Sequence, residues 1–310
     1  MRRRLSSSMR AVLVIACFAA LAAACTTVQP TQDSTPVPTT APRPFITPPA
    51  ALTAIPRPDG ATVRTNGEWY WAPAPSGRIV TLSVYRPAVV AMDAKAAPVT
   101  VLILHGGDGF RRLYEDLASR YAAQGFIAIA GCWFEAAGPP PNADEIDCRQ
   151  GPDWKGMNAS SVNDVDALVT AALQVPGVDP HRFVVAGHSY GAGVALLRAA
   201  GGHNEPVVVS SGFFAPAPLG TAHPLPGDEF ASEHAASIHA HVLILHSGTG
   251  IDYITPPGQA QVLAAALTAA GNPPTVVYFP SPSGHAFPWQ PPFDTQYTGD
   301  ATDWIHAQLP

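Results

Sequence analysis

From Val99 onward the chain alternates short apolar runs with stretches of helical character, and no other feature narrows the fold as much. Val99-Thr-Val-Leu-Ile-Leu104 is a continuous β-branched and apolar run, the composition of a strand buried on both faces. A helical stretch follows from Arg111 to Gln124, then a strand at Phe126-Ile-Ala-Ile-Ala130. Ser161 to Val175 reads as a helix, with Ser160 or Ser161 as N-cap. Arg182–Gly187 is a strand and Tyr190–Ala200 a helix, and Pro206–Ser210 and His241–His246 are further strands. A helix over Pro256–Ala270, a strand at Thr275–Phe279 and a helix over Ala301–Gln308 complete the series. Ahead of it, Arg78–Tyr85 alternates like a strand with one wet face. Parallel strands need crossovers, and helices packed on the sheet faces supply them. The expected fold class is therefore α/β: a mostly parallel, doubly wound sheet with helices on both faces. Ligands of such sheets bind outside the carboxyl ends of the strands.

The N-terminus reads differently. Arg2, Arg3, Arg4 and Arg10 precede the apolar stretch Ala11–Leu21, and Ala22-Ala-Ala-Cys25 follows, the layout of an export signal over residues 1–24. The apolar run is shorter than the roughly 20 residues that span a bilayer. Leu21-Ala-Ala-Ala-Cys25 resembles a bacterial lipobox, which implies acylation at Cys25 and a lipid anchor on the cell envelope; plain secretion is the other reading. Residues 25–58 are rich in Pro, Thr and Ala and read as an extended tether, leaving a catalytic domain over 59–310. Of the four cysteines, Cys17 falls in the leader and Cys25 is the lipidation candidate. An exported chain matures where disulfides persist, so a Cys132–Cys148 bridge is expected; two buried thiols are the alternative. The formal net charge of −6, with no long basic run, argues against a nucleic-acid partner.

Gly187-His-Ser-Tyr-Gly191 fits the pattern G-x-S-x-G and lies between a buried strand and a helix. A tight turn there lifts the Ser189 hydroxyl above the sheet. A serine hydroxyl needs a positioned base, and on this kind of sheet the chain order is Ser, acid, His. His285, in Ser283-Gly-His-Ala-Phe287 beyond the last strand, is the candidate base. Asp252 is the candidate acid, as the one carboxylate between the strand 241–246 and the next helix, with Asp228 and Glu229 in reserve. The backbone N–H of Tyr190, one past the serine, and that of Gly107 in His105-Gly-Gly-Asp-Gly109 are the candidate oxyanion donors. Trp133 and Asp108 are candidate substrate contacts on the carboxyl edge, with packing as the equal alternative for Trp133. No metal or organic cofactor is expected.

Together, His105-Gly-Gly, Gly187-His-Ser-Tyr-Gly191, Asp252 with Pro256, and Gly284-His-Ala-Phe resemble an α/β-hydrolase. The stretch from Val175 to Ala192 resembles the dienelactone-hydrolase-like branch, and prolyl-oligopeptidase-type catalytic domains have a similar stretch. The resemblance covers roughly residues 75–310. It implies a serine hydrolase acting on carboxylic esters, small or polymeric, through a Ser-His-Asp triad. A peptidase of oligopeptidase type, and a non-catalytic envelope lipoprotein that keeps the fold, are the alternatives. Ser189 stands where dienelactone hydrolases proper carry Cys, so their lactone substrate does not carry over. The residues before about position 60 are mostly leader and tether, too little for the oligopeptidases' propeller.

Overall fold

The computed structural model describes residues 52–55, 67–74, 77–88, 97–110, 112–136, 148, 156–216, 225–248 and 252–310. All of them belong to the compact unit Ile46–Pro310. The leader, Cys25 and most of the tether lie outside the described residues. Among the described residues, no helix is long and apolar enough to cross a membrane.

The elements in chain order are β1 (Thr53–Ala54), β2 (Glu68–Pro73), β3 (Ile79–Tyr85), β4 (Thr100–Leu104), α1 (Arg112–Ala123), β5 (Ile127–Ala136), α2 (Ala159–Ala172), β6 (Phe183–His188) and α3 (Tyr190–Ala200). Then come β7 (Val207–Ser210), a 3-10 turn (Ala231–Ser237), β8 (Val242–Ser247), α4 (Gly258–Ala269), β9 (Thr275–Phe279), a 3-10 turn (Phe287–Trp289) and α5 (Phe293–Gln308). They form one nine-stranded sheet of order β1-β2-β3-β5-β4-β6-β7-β8-β9. The pairs from β1 to β3, and β3 with β5, are antiparallel, and every pair from β5 through β9 is parallel.

Period-2 alternation sends successive side chains of the buried strands to opposite faces. Val185, Val207, Val209 and Ile244 pack with Leu168 of α2, Leu196 of α3 and Leu263 of α4. Val184, Ala186, Val208 and Leu245 pack on the other face with Leu117 and Tyr121 of α1 and with Tyr297 and Ile305 of α5. Both faces are covered, as expected of parallel strands with apolar runs throughout.

The structure differs from the sequence reading at several edges. Thr53–Ala54, within the expected tether, pairs with Trp71 and Tyr70, and the adjoining Ile55 is buried, so the sheet begins before residue 59. β5 runs six residues past Ala130 because it is paired with β3 on its outer side as well as with β4. Asn158, rather than Ser160 or Ser161, caps α2, its side chain accepting from Ser160 N at 2.9 Å. α5 starts at Phe293 instead of Ala301, because Phe293 and Tyr297 supply two further buried positions.

The order β5-β4-β6 places the site. β4 has β5 on one side and β6 on the other, so the chain reverses its direction of travel across the sheet there. Leu104 pairs with Gly187, which sets the ends of β4 and β6 side by side.

Candidate active site

Ser189 follows β6 directly and has φ 55° and ψ −119°. A non-glycine residue at positive φ is disfavoured, at a cost of roughly 1–3 kcal/mol, and persists only where its surroundings over-determine it. Here they do. Ser189 N–H donates to Ser210 O at 2.9 Å, and Ser189 O accepts from Ala192 and Gly193 at the start of α3. A side chain on Gly187 would collide with the Gly191 backbone, and one on Gly191 with the carbonyls of Leu104 and His105. The two glycines of the motif are thus required by the close approach of strand, turn and helix. Gly106, just past β4, also approaches the serine: a Cβ there would lie 3.0 Å from Ser189 Cβ.

His285 reaches the same place from beyond β9. Its ring centroid is 4.8 Å from that of His188, the neighbour of the serine, and the His188 ring meets Trp289 edge-on at 4.7 Å. His285 Nδ1 lies 3.1 Å from Asp252 Oδ2 and 3.2 Å from Oδ1. Asp252 is 2 % exposed. Its Oδ1 accepts from Ile254 N at 3.1 Å and Thr255 N at 2.8 Å, and its Oδ2 from Thr255 Oγ1 at 2.8 Å. Burial opposes its charge, but the hydrogen bond and positive field of His285, with the Thr255 donors, hold the carboxyl down at about 2. Asp252 is therefore an ionised acceptor for the His285 Nδ1–H, which leaves Nε2 as the basic nitrogen. The reserve acids are engaged elsewhere. Asp228 ties Met157 N and Leu225 N, each at 2.7 Å, and Glu229 faces His234 at 3.7 Å.

The loop after β4 forms the other side. Gly106 N–H donates to Tyr114 Oη at 2.7 Å. Gly107 lies against the Tyr190 ring, which stacks on Phe213 with centroids 4.8 Å apart. Asp108 is exposed, with Tyr114 Oη 3.4 Å from its Oδ1. Trp133 does not line an open surface, because it is 1 % exposed. Its ring stacks on His105 at 5.2 Å and its Nε1–H donates to His105 O at 3.1 Å, so it supports this loop from beneath. Of the two readings of Trp133, packing is the one realised, since β5 continues through it instead of ending at Ala130. Cys132 and Cys148 form the expected disulfide, and Cys148 O accepts from Phe110 N at 2.9 Å. Cys148 Sγ lies 3.3 Å from His105 Nε2. His105, Cys132 and Cys148 are close enough to resemble a metal cluster, but the disulfide leaves neither sulfur as a thiolate. Burial lowers the His105 pKa to about 3, against the opposing hydrogen bond from Nδ1 to Gly106 O at 2.8 Å.

Two residues near the site escaped the sequence reading. Thr255 and Ser211 complete the acid turn. His188 turns toward His285, and burial, then the His285 charge, push its pKa well below the usual histidine value. The signal for Thr255 was present, since Asp followed by Thr three residues on, just ahead of a proline pair, is a side-chain-to-backbone turn pattern.

A serine on a strained turn, an imidazole paired to a buried carboxylate, and a glycine-rich loop alongside are the parts from which an acyl-transfer site can be built. The family comparison agrees: the model of the dienelactone hydrolase family matches residues 87–304, and the chain belongs to that family of hydrolases. No curated protein matches significantly. Among solved structures, the chain is similar to a protein from Klebsiella pneumoniae provisionally assigned as a dienelactone hydrolase (21% identity, TM-score 0.56, covering 76% of this chain and 95% of that one). It is also similar to the thermophilic esterase Est2 of Thermogutta terrifontis, solved with propionate (17%, 0.59, 80% and 96%). A third similar structure is the acylaminoacyl peptidase of Pyrococcus horikoshii (12%, 0.57, 83% and 41%). At these identities the solved structures show the α/β-hydrolase fold.

Proposed function

We propose that the protein is a serine carboxylic-ester hydrolase in which Ser189, His285 and Asp252 act as the triad. The observation that carries this reading is a strained serine turn beside an imidazole that is paired to a buried, ionised aspartate: the ring of His188, next to Ser189, lies 4.8 Å from that of His285. His285 Nε2 takes the Ser189 proton as the oxygen attacks the ester carbonyl. Asp252 holds the Nδ1–H tautomer and stabilises the imidazolium. The oxyanion is received by the N–H groups of Tyr190 and Gly107, supported by the position of Tyr190 at the N-terminus of α3, where the helix dipole favours negative charge. The engagement of Gly106 N–H with Tyr114 favours Gly107 as the donor from the β4 loop. The alcohol leaves with the proton from His285. Water, activated by the same imidazole, then releases the acid and restores Ser189. Asp108, exposed beside Gly107, is the proposed substrate contact of this loop.

The test is hydrolysis of p-nitrophenyl esters from acetate to palmitate, with a peptide p-nitroanilide alongside, by wild type and Ser189→Ala. Ester turnover lost by about 10⁴-fold or more in the variant is the expected result. Preferential anilide cleavage would move the reading to a peptidase. Undiminished ester turnover in Ser189→Ala would remove the assignment.

A further inference from the structure

The acid turn contains one group that a Ser-His-Asp relay does not require, the hydroxyl of Thr255. Thr255 is fully buried, and three polar atoms surround its Oγ1: Asp252 Oδ2 at 2.8 Å, Ser211 O at 2.9 Å and His285 Nδ1 at 3.0 Å. A hydroxyl has one proton and two lone pairs. His285 Nδ1 carries hydrogen in the tautomer that leaves Nε2 basic, so Thr255 Oγ1 is an acceptor toward it. The hydroxyl proton is left with two possible acceptors, a carboxylate oxygen and a backbone carbonyl. The Nδ1–H in turn faces three oxygens at nearly equal range, the two of Asp252 and the one of Thr255.

The carbonyl belongs to an unusual residue. Among the described residues, Ser211 and Ser189 are the two non-glycine positions with positive φ, and Ser211 stands at 42°. They lie at the ends of adjacent strands, since His188 pairs with Ser210 across β6 and β7. One disfavoured turn carries the nucleophile. The other belongs to the residue whose carbonyl faces Thr255.

We propose that Thr255 is a positioning residue whose hydroxyl proton turns between Asp252 and the Ser211 carbonyl as His285 loses and gains charge. While His285 is neutral, the carboxylate is the stronger acceptor and takes the hydroxyl hydrogen bond. Once His285 has taken the Ser189 proton, its Nδ1–H is the strongest donor in the cluster. Rotation of the Thr255 O–H toward Ser211 O then frees an Asp252 lone pair for that Nδ1–H and leaves a hydroxyl lone pair facing the imidazolium. The Thr255 O–H bond is never broken. The single proton transferred is the one from Ser189 Oγ to His285 Nε2. Thr255 touches no substrate and works through Asp252 and His285, so the proposal rests on their assigned roles.

The test is a double-mutant cycle. Thr255→Val removes the hydroxyl at nearly constant shape, and Thr255→Ser keeps it. Each is made in the wild-type and Asp252→Asn backgrounds, with kcat and KM for p-nitrophenyl butyrate and Tm measured throughout. Loss of a hydrogen bond to a charged group corresponds to about 10- to 100-fold in rate. The expected result is a kcat lowered by that factor in Thr255→Val with KM within about twofold, and recovery to within about threefold in Thr255→Ser. In Asp252→Asn the valine change should cost less than about threefold in kcat, since coupled residues are non-additive. Thr255→Ala takes the place of valine in the same cycle if valine does not fold. Wild-type kcat in Thr255→Val, an equal loss in both backgrounds, or no recovery with serine would overturn the proposal while Ser189→Ala remains inactive. Activity retained in Ser189→Ala would overturn the triad itself, and the role of Thr255 with it.

Discussion

Two loops reach Ser189 from opposite sides and are held by different physics. On the acid–base side, Asp252, Thr255 and His285 are fixed by hydrogen bonds around a buried negative charge. On the β4 side, His105 to Gly107 is held by uncharged contacts, with Trp133 stacked on His105 and bonded to its carbonyl, Phe134 edge-on to it at 4.3 Å, Gly106 N–H on Tyr114 Oη, and a disulfide beside them. The polar side changes charge during the proposed reaction, so it needs groups that respond to a proton. The packed side only has to hold a backbone still, and apolar burial does that without regard to charge. Changes on the first side should therefore appear in turnover and changes on the second in stability.

The largest effect expected is from Asp252→Asn. An amide cannot hold the imidazolium, and kcat should fall by about 10⁴-fold with little change in KM. A loss below tenfold, measured with the same ester, would mean that the polar side is scaffolding like the other. Next comes Trp133→Ala, which empties a fully buried ring site and should cost about 3–5 kcal/mol in urea unfolding. The kcat of the folded protein should stay within about tenfold of wild type. A collapse of kcat without a loss of stability would reverse the comparison.

The smallest effect concerns acid. His105 titrates near 6.5 when unfolded but at about 3 when folded, because burial disfavours its charged form. The unfolded state binds more protons between those values, so stability is full above about 6.5, falls as the pH drops toward 3, and levels off below. Between pH 7 and 5 this one group should account for about 2 kcal/mol. Urea melts at the two pH values should show His105→Leu losing that much less than wild type. His188 and His246, also lowered by burial, keep a residual slope in the variant.

Much of this arrangement was legible in the sequence, for reasons that differ along the chain. The buried strands from Val99 to Ser247 were readable because a two-faced core demands continuous apolar runs, and Gly187 and Gly191 flag a turn where backbones nearly touch. β2 and the extension of β5 were not readable, because both owe their extended form to pairing with β3, which is the next strand in sequence for β2 but a distant partner for the residues after Ala130. Trp133 looked like a pocket residue for the same reason. Ser189, Asp252 and His285 could be nominated because chain order and strand ends limit the choices. The Asp252-to-Thr255 spacing marked a turn, but the link of the Thr255 hydroxyl to His285 and to the Ser211 carbonyl was not legible, since it exists only once three strand ends have come together.

The most direct measurement of the central claim is mass spectrometry of the protein after exposure to a fluorophosphonate ester probe. The account predicts a single adduct on the peptide that contains Ser189, accompanied by loss of esterase activity and absent from Ser189→Ala. An adduct on another serine that tracks the loss of activity, or ester turnover that survives full labelling of Ser189, would contradict it.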